Sequence, residues 1–259
     1  MKRFLSSIAD VRKGEGRLTF LMALYYYLVL VTYYFLKPAR DSLFLVHLGP
    51  AQLPVVFIAT ALAVAPITAF LASASRRQQL TRLIAGTSAL MVACLAILRW
   101  LLSLDAGWVF YLFYVWVSIF GALTAAQFWL LANAVYTPAQ AKRLFPLLSM
   151  GGILGAMTGG EITRLVIRAA GVATEDLLYF CMVLSSLIAG MAAITWRMRA
   201  RGGMEPPPAR RRGAPETSDG LGQLVRLVRR SPLLSYTVGI IAVTMATTTL
   251  VDFQFKTIS

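Results

Sequence analysis

The sequence predicts an all-α integral membrane protein of about seven hydrophobic spans, and three observations carry that reading. Apolar residues make up 58% of the 259 residues and charged residues only 14%, whereas soluble domains carry about a quarter charged. The apolar residues are also gathered into long blocks, and a block of about 20 crosses the ~30 Å of bilayer hydrocarbon. Finally, the net charge of +14 alternates along the chain in the manner of a multi-pass topology.

Residues 1–17 form a basic, amphipathic lead carrying Lys2, Arg3, Arg12, Lys13 and Arg17. Leu18–Leu36, Leu48–Ser75, Ala106–Ala141, Leu177–Trp196 and Ser231–Val251 contain no Asp, Glu, Lys or Arg. Leu83–Leu104 is broken only by Arg99, and Leu144–Ile167 carries Glu161 and Arg164 near its far end. In chain order these are spans 1 to 7, of which the first six fill residues 18–197. Residues 198–230 hold Pro206-Pro207-Pro208, several glycines and many arginines, a composition too polar to pack a core. Within this linker, Gly220–Arg230 reads as an amphipathic helix on anionic headgroups. Residues 231–259 supply the seventh span.

Basic residues precede span 1 and fill the loops after spans 2, 4 and 6, while the alternate loops hold His47, Asp105, Glu175 and Asp176, with Arg168 their lone basic residue. Positive-inside orientation therefore puts the N-terminus in the cytoplasm. A charge distributed by topology argues against nucleic acid as a partner and for the lipid bilayer. Cys94 and Cys181 sit singly inside apolar spans, with no metal or redox spacing. No cofactor motif is present. A cleavable signal peptide is also excluded, because the first apolar stretch is too long and lacks a small-residue cleavage site.

Six spans, a basic cytoplasmic linker and a fresh span match the layout of a twelve-helix transporter with two six-helix halves. On that reading the chain is an N-terminal half plus one helix, and a C-terminal half is its expected partner. A natural seven-span protein is the alternative. In span 5, Gly151, Gly155 and Gly159 recur every four residues, as do Gly152, Ala156 and Gly160. Such small-residue stripes let helix backbones approach closely. No Gly-Lys-Ser/Thr follows them, which rules out a phosphate-binding P-loop.

Ionisable residues inside spans usually face a cavity or a partner. Lys37, Arg40 and Asp41 share one helix face at the end of span 1, and Pro38 among them is expected to kink or end the helix. Two readings are open: an anion site in which Arg40 grips phosphate or carboxylate oxygens, or an interfacial anchor that snorkels outward. Glu161 and Arg164 read as a self-neutralising pair, and Arg99 as a snorkelling residue. Asp252 and Lys256 lie four apart on span 7, at a depth similar to the span 1 cluster. Span 4 offers the neutral groups Ser118, Thr124, Gln127 and Asn133. Tyr25, Tyr26, Tyr27, Tyr33 and Tyr34 are expected at the interface or against lipid rather than stacked on a planar ligand.

Phe128-Trp129, Ala132-Asn133, Ala141-Lys142-Arg143 and Phe145-Pro146, running into the glycine-rich span, resemble the nucleotide (ATP/ADP) transporter family of plastids and bacteria. Leu36–Asp41 is similar to that family's first-helix segment, with Arg40 at its basic position. Leu250-Val251-Asp252 and Phe255-Lys256 are similar to its seventh-helix segment. The resemblance covers roughly residues 18–256 and implies a major-facilitator-like bundle in a bacterial inner membrane that exchanges ATP and ADP by alternating access. It implies no catalytic residue, and a substrate-binding set of Lys37, Arg40, Asp41, Asn133, Asp252 and Lys256. Two features depart from the family pattern. The basic position is usually Lys and is Arg40 here, and Tyr111–Gln127 is uncharged where plastid and parasite carriers have Glu. A carrier of another organic anion and a non-transporting membrane sensor or scaffold are the competing readings.

Overall fold

The computed structural model describes residues 15–77, 80–104, 106–170, 177–201 and 231–258. Seven α-helices are found there: α1 (Gly16–Leu48), α2 (Leu53–Arg77), α3 (Leu80–Leu102), α4 (Gly107–Val135), α5 (Pro138–Ala170), α6 (Leu177–Arg201) and α7 (Pro232–Ile258). A 3-10 turn over Pro50–Gln52 joins α1 to α2. An all-helical architecture follows from the solvent, since in hydrocarbon each backbone N–H and C=O must find its partner within the segment. The chain divides into two units, Met1–Pro207 and Pro208–Ser259, with α1–α6 in the first and α7 in the second. The amphipathic helix expected at Gly220–Arg230, and most of the lead and linker, lie outside the described residues.

Six of the seven helices are long and apolar enough to cross a bilayer. The exception is α5, which has ample length at 33 residues but is diluted by glycine, Thr158, Thr163, Glu161 and Arg164. This helix is the span in which the sequence places Glu161 and Arg164 near the far end, and its packing accounts for the lower apolarity. An added Cβ on Gly151 would lie 2.5 Å from the Ala23 carbonyl oxygen, and one on Gly155 would overlap the Tyr27 carbonyl oxygen. On Gly159 it would stand 3.1 Å from Val31 Cα. The stripe of α5 therefore lies directly against the backbone of α1. The paired numbers rise together, so the two helices run parallel. The neighbouring stripe behaves differently: Gly152 admits the Tyr26 ring, while Gly160 faces open space.

Contacts between α1 and α4 run the other way. Thr19 meets Tyr136, with its Oγ1 3.4 Å from the Tyr136 hydroxyl, and Phe44 meets Tyr111 and Tyr114 near the opposite ends. Numbers rise on one helix as they fall on the other, so α1 and α4 are antiparallel. Tyr26 stacks on Phe128 with centroids 4.1 Å apart, and Tyr25 meets the same ring edge-on. The Thr158 hydroxyl lies 3.0 Å from the Tyr27 hydroxyl. Tyr25 is buried within the bundle, which corrects for it the expectation of a place at the interface or against lipid, while Tyr26 and Tyr27 are half-buried. Met22, Tyr25, Phe128, Leu131, Leu144, Leu148 and Ile188 belong to one core beside the N-terminal half of α1.

Pro38 does not end α1, which continues to Leu48. A proline at this position removes the N–H that would bond to the Tyr34 carbonyl. That carbonyl lies 3.5 Å from the Thr163 hydroxyl of α5, which also donates to Gly159 O at 2.8 Å. The α5 hydroxyl thus stands near the opened position, its proton directed to the shorter contact within its own helix.

The α1–α5 contact predicts that Gly155→Ala lowers stability by about 1–3 kcal/mol, the typical effect of overpacking. Gly160→Ala should be neutral. Thermal unfolding of the two purified variants in detergent will separate them.

Candidate functional site

Arg40 lies about 36 Å along α1 from Gly16 and roughly 12 Å short of Leu48, at 1.5 Å per residue. It does not snorkel outward. Its residue is only 5% exposed, although a buried charge is costly unless it is paired and hydrogen-bonded. Three groups answer that cost. Nε donates to Asp41 Oδ1 at 3.0 Å. NH1 donates to Ser118 Oγ on α4 at 2.7 Å. The guanidinium carbon stands 4.1 Å from the centroid of the Tyr114 ring, a cation–π contact that strengthens when water is excluded. Ser118 in turn donates its own proton to the Tyr114 carbonyl at 3.0 Å, so the oxygen lone pairs are left to face Arg40.

Lys37 is half-buried on α1 and precedes Arg40 by one turn. Lys37, Arg40 and Asp41 are therefore together, as the spacing requires. Asn133 is not with them. It lies roughly 22 Å along α4 from Ser118 by helical rise, is exposed, and its amide donates to the Trp129 carbonyl at 2.8 Å. Asp252 and Lys256 form an ion pair of 2.7 Å within α7, in the second unit. Glu161 and Arg164 pair at 2.7 Å on the exposed surface of α5, and the Arg99 guanidinium stands 5.4 Å from the Tyr179 ring centroid.

The structure adds two residues to the site. Ser118 stood among neutral polar groups of span 4 with no assigned partner, and Tyr114 carried no distinguishing signal. Both belong to the stretch of α4 that lacks an acidic residue, so the α4 groups meeting Arg40 are neutral. A second polar cluster closes the other end of α1, where Glu15 Oε1 accepts from Gln140 Nε2 at 2.8 Å and pairs with Arg143 at 3.5 Å.

Chemically, the Arg40 cluster offers a permanent, pre-positioned cation whose planar donors suit phosphate or carboxylate oxygens. No group of three metal-ligating side chains occurs among the described residues. Fold and site together define a multi-pass helical membrane protein with a cation held between two of its spans. Residues 55–199, more than half of the chain, match the TLC ATP/ADP transporter family. The chain belongs to that family.

ADP,ATP carrier protein 3 of Rickettsia prowazekii is 29% identical over 73 residues, which cover 28% of this chain and 15% of the carrier. The protein of that name from Rickettsia typhi matches with the same identity and shares. The one from Rickettsia conorii is 28% identical over 65 residues, covering 25% of this chain and 13% of the carrier. The chain thus spans only a small part of the length of these curated relatives. No solved structure matches it.

The geometry predicts that Ser118→Ala destabilises the protein by about 1.5–3 kcal/mol, the range for a hydrogen bond to a charged group. Glu161→Gln, which breaks an exposed pair, should stay within about 1 kcal/mol. Denaturation of each variant in detergent, followed by tryptophan fluorescence, measures the difference.

Proposed function

We propose that this chain is the N-terminal part of a carrier that exchanges nucleotides, ATP against ADP, by alternating access. The observation that carries the proposal is the Arg40 guanidinium, buried between α1 and α4 in a member of an ATP/ADP transporter family. In this reading Arg40 and Lys37 attract the phosphates. Asp252 and Lys256, an ion pair within α7, are candidate substrate contacts carried by the second unit. The membrane is a bacterial inner membrane, with the N-terminus and the basic linker of residues 198–230 in the cytoplasm. No covalent bond changes during exchange, so no catalytic residue or cofactor is required.

Another organic anion is the second reading, and the neutral α4 partner of Arg40 favours it. A hydroxyl and an aromatic face hold a guanidinium without selecting a nucleotide. Cells expressing the complete reading frame should take up radiolabelled ATP and ADP, and Arg40→Ala should reduce uptake at least tenfold, about the effect of losing 1.4 kcal/mol of binding. Uptake that survives Arg40→Ala unchanged sinks the mechanism. Efficient competition by non-nucleotide anions alone transfers it to the second reading.

A further inference from the structure

Contacts along the seam between α1 and α4 recur every seven residues. Tyr26 stacks on Phe128, Tyr33 rests on Gly121 and Arg40 lies over Tyr114, as the antiparallel pairing requires. The middle rung differs from the other two, because its α4 member has no side chain. A Cβ on Gly121 would overlap the Tyr33 ring, so the glycine is what admits that ring to the seam.

Seven residues of helix return to nearly the same face and rise by about 10 Å. Tyr33 and Arg40 therefore share a face of α1, with Lys37 between them. The Tyr33 hydroxyl is close enough to the guanidinium to act on it electrostatically. Tyr33 is half-buried, as is Lys37, whereas Tyr25 is enclosed in the core. Its ring stands at right angles to that of Tyr34, with centroids 5.6 Å apart, and Gly121 and Tyr34 together fix its place. A ribose and a diphosphate bridge the distance from such a ring to the cation.

We propose that Tyr33 recognises the base of the nucleotide, its ring stacking on the planar heterocycle while Arg40 and Lys37 hold the phosphates. The inference rests on the nucleotide reading of the Arg40 site and deepens it. Arg40, Ser118 and Tyr114 offer nothing that separates a nucleotide from another phosphate, and an aromatic ring one diphosphate away does. Stacking accepts any base, because every base has a π-face. Tyr33 thus selects nucleotides as a class and leaves the choice among bases to other groups.

Equilibrium binding of ADP and of inorganic pyrophosphate to the purified product of the complete reading frame tests this. Wild type should bind ADP more tightly than pyrophosphate. Tyr33→Leu and Tyr33→Met should weaken ADP binding between about fivefold and a hundredfold, the loss expected of a base-stacking ring, and leave pyrophosphate binding unchanged. Tyr33→Phe, which keeps the ring, should bind both ligands like wild type. Two non-aromatic variants are used so that misfolding of one, checked by thermal unfolding, leaves the other to decide. Wild-type ADP affinity in a folded non-aromatic variant overturns the role of Tyr33 and leaves the nucleotide reading standing. An equal loss for both ligands also overturns it, since Tyr33 then acts only by placing Arg40. If wild type binds pyrophosphate and gains nothing from the nucleoside, the nucleotide reading falls and the inference falls with it.

Discussion

Hydrocarbon gives two helices no hydrophobic reason to associate, because lipid tails are as apolar as the side chains they would replace. Contact at short range has to supply the attraction, and in this protein it is densest between α1 and α5. The glycine stripe of α5 lets its backbone rest against Ala23, Tyr27 and Val31. α1 is also the helix against which α4 and α6 lean. Fixing α1 against α5 fixes what α1 carries, including the charged turn toward its C-terminal end. Arg40 thus rides on the helix that the α5 glycines hold, and the antiparallel pairing of α1 with α4 sets it over Tyr114.

The charged residues of the spans divide by how their cost is met. Glu161 and Arg164 satisfy one another on an exposed surface and require nothing from the bundle. Arg40 draws on a carboxylate, a hydroxyl and an aromatic face, two of them supplied by a helix far away in sequence. A charge that recruits tertiary structure in this way is held in place, and a held cation discriminates among ligands better than a mobile one. Reach also separates the polar groups of α4: Ser118 meets Arg40, whereas Asn133 is turned to its own backbone.

The spans were legible because apolar blocks and charge alternation are properties of local sequence. The four-residue glycine period was legible for the same reason, and it marked the helix that packs most closely. Partner and register were not. Nothing in Tyr114 or Ser118 announces which turn of α1 will stand opposite, since that follows from the antiparallel pairing of α1 with α4. Pro38 is a local signal for a kink or an end, but α1 continues past it, and the Thr163 hydroxyl beside the opened carbonyl comes from α5. Tyrosine chemistry suits the interface or a lipid-facing surface, yet Tyr25 and Tyr26 meet Phe128 of α4 and Tyr27 meets Thr158 of α5.

The low apolarity of α5 has a consequence for how that helix is solvated. A segment carrying five glycines between Gly151 and Gly160, and an ion pair near its end, partitions poorly into lipid as an isolated helix. Its groove is filled by α1, which precedes it in the chain and is long and apolar enough to cross a bilayer. A helix that lipid solvates poorly is thus completed by protein: the backbone of α1 is the surface on which the α5 glycines rest.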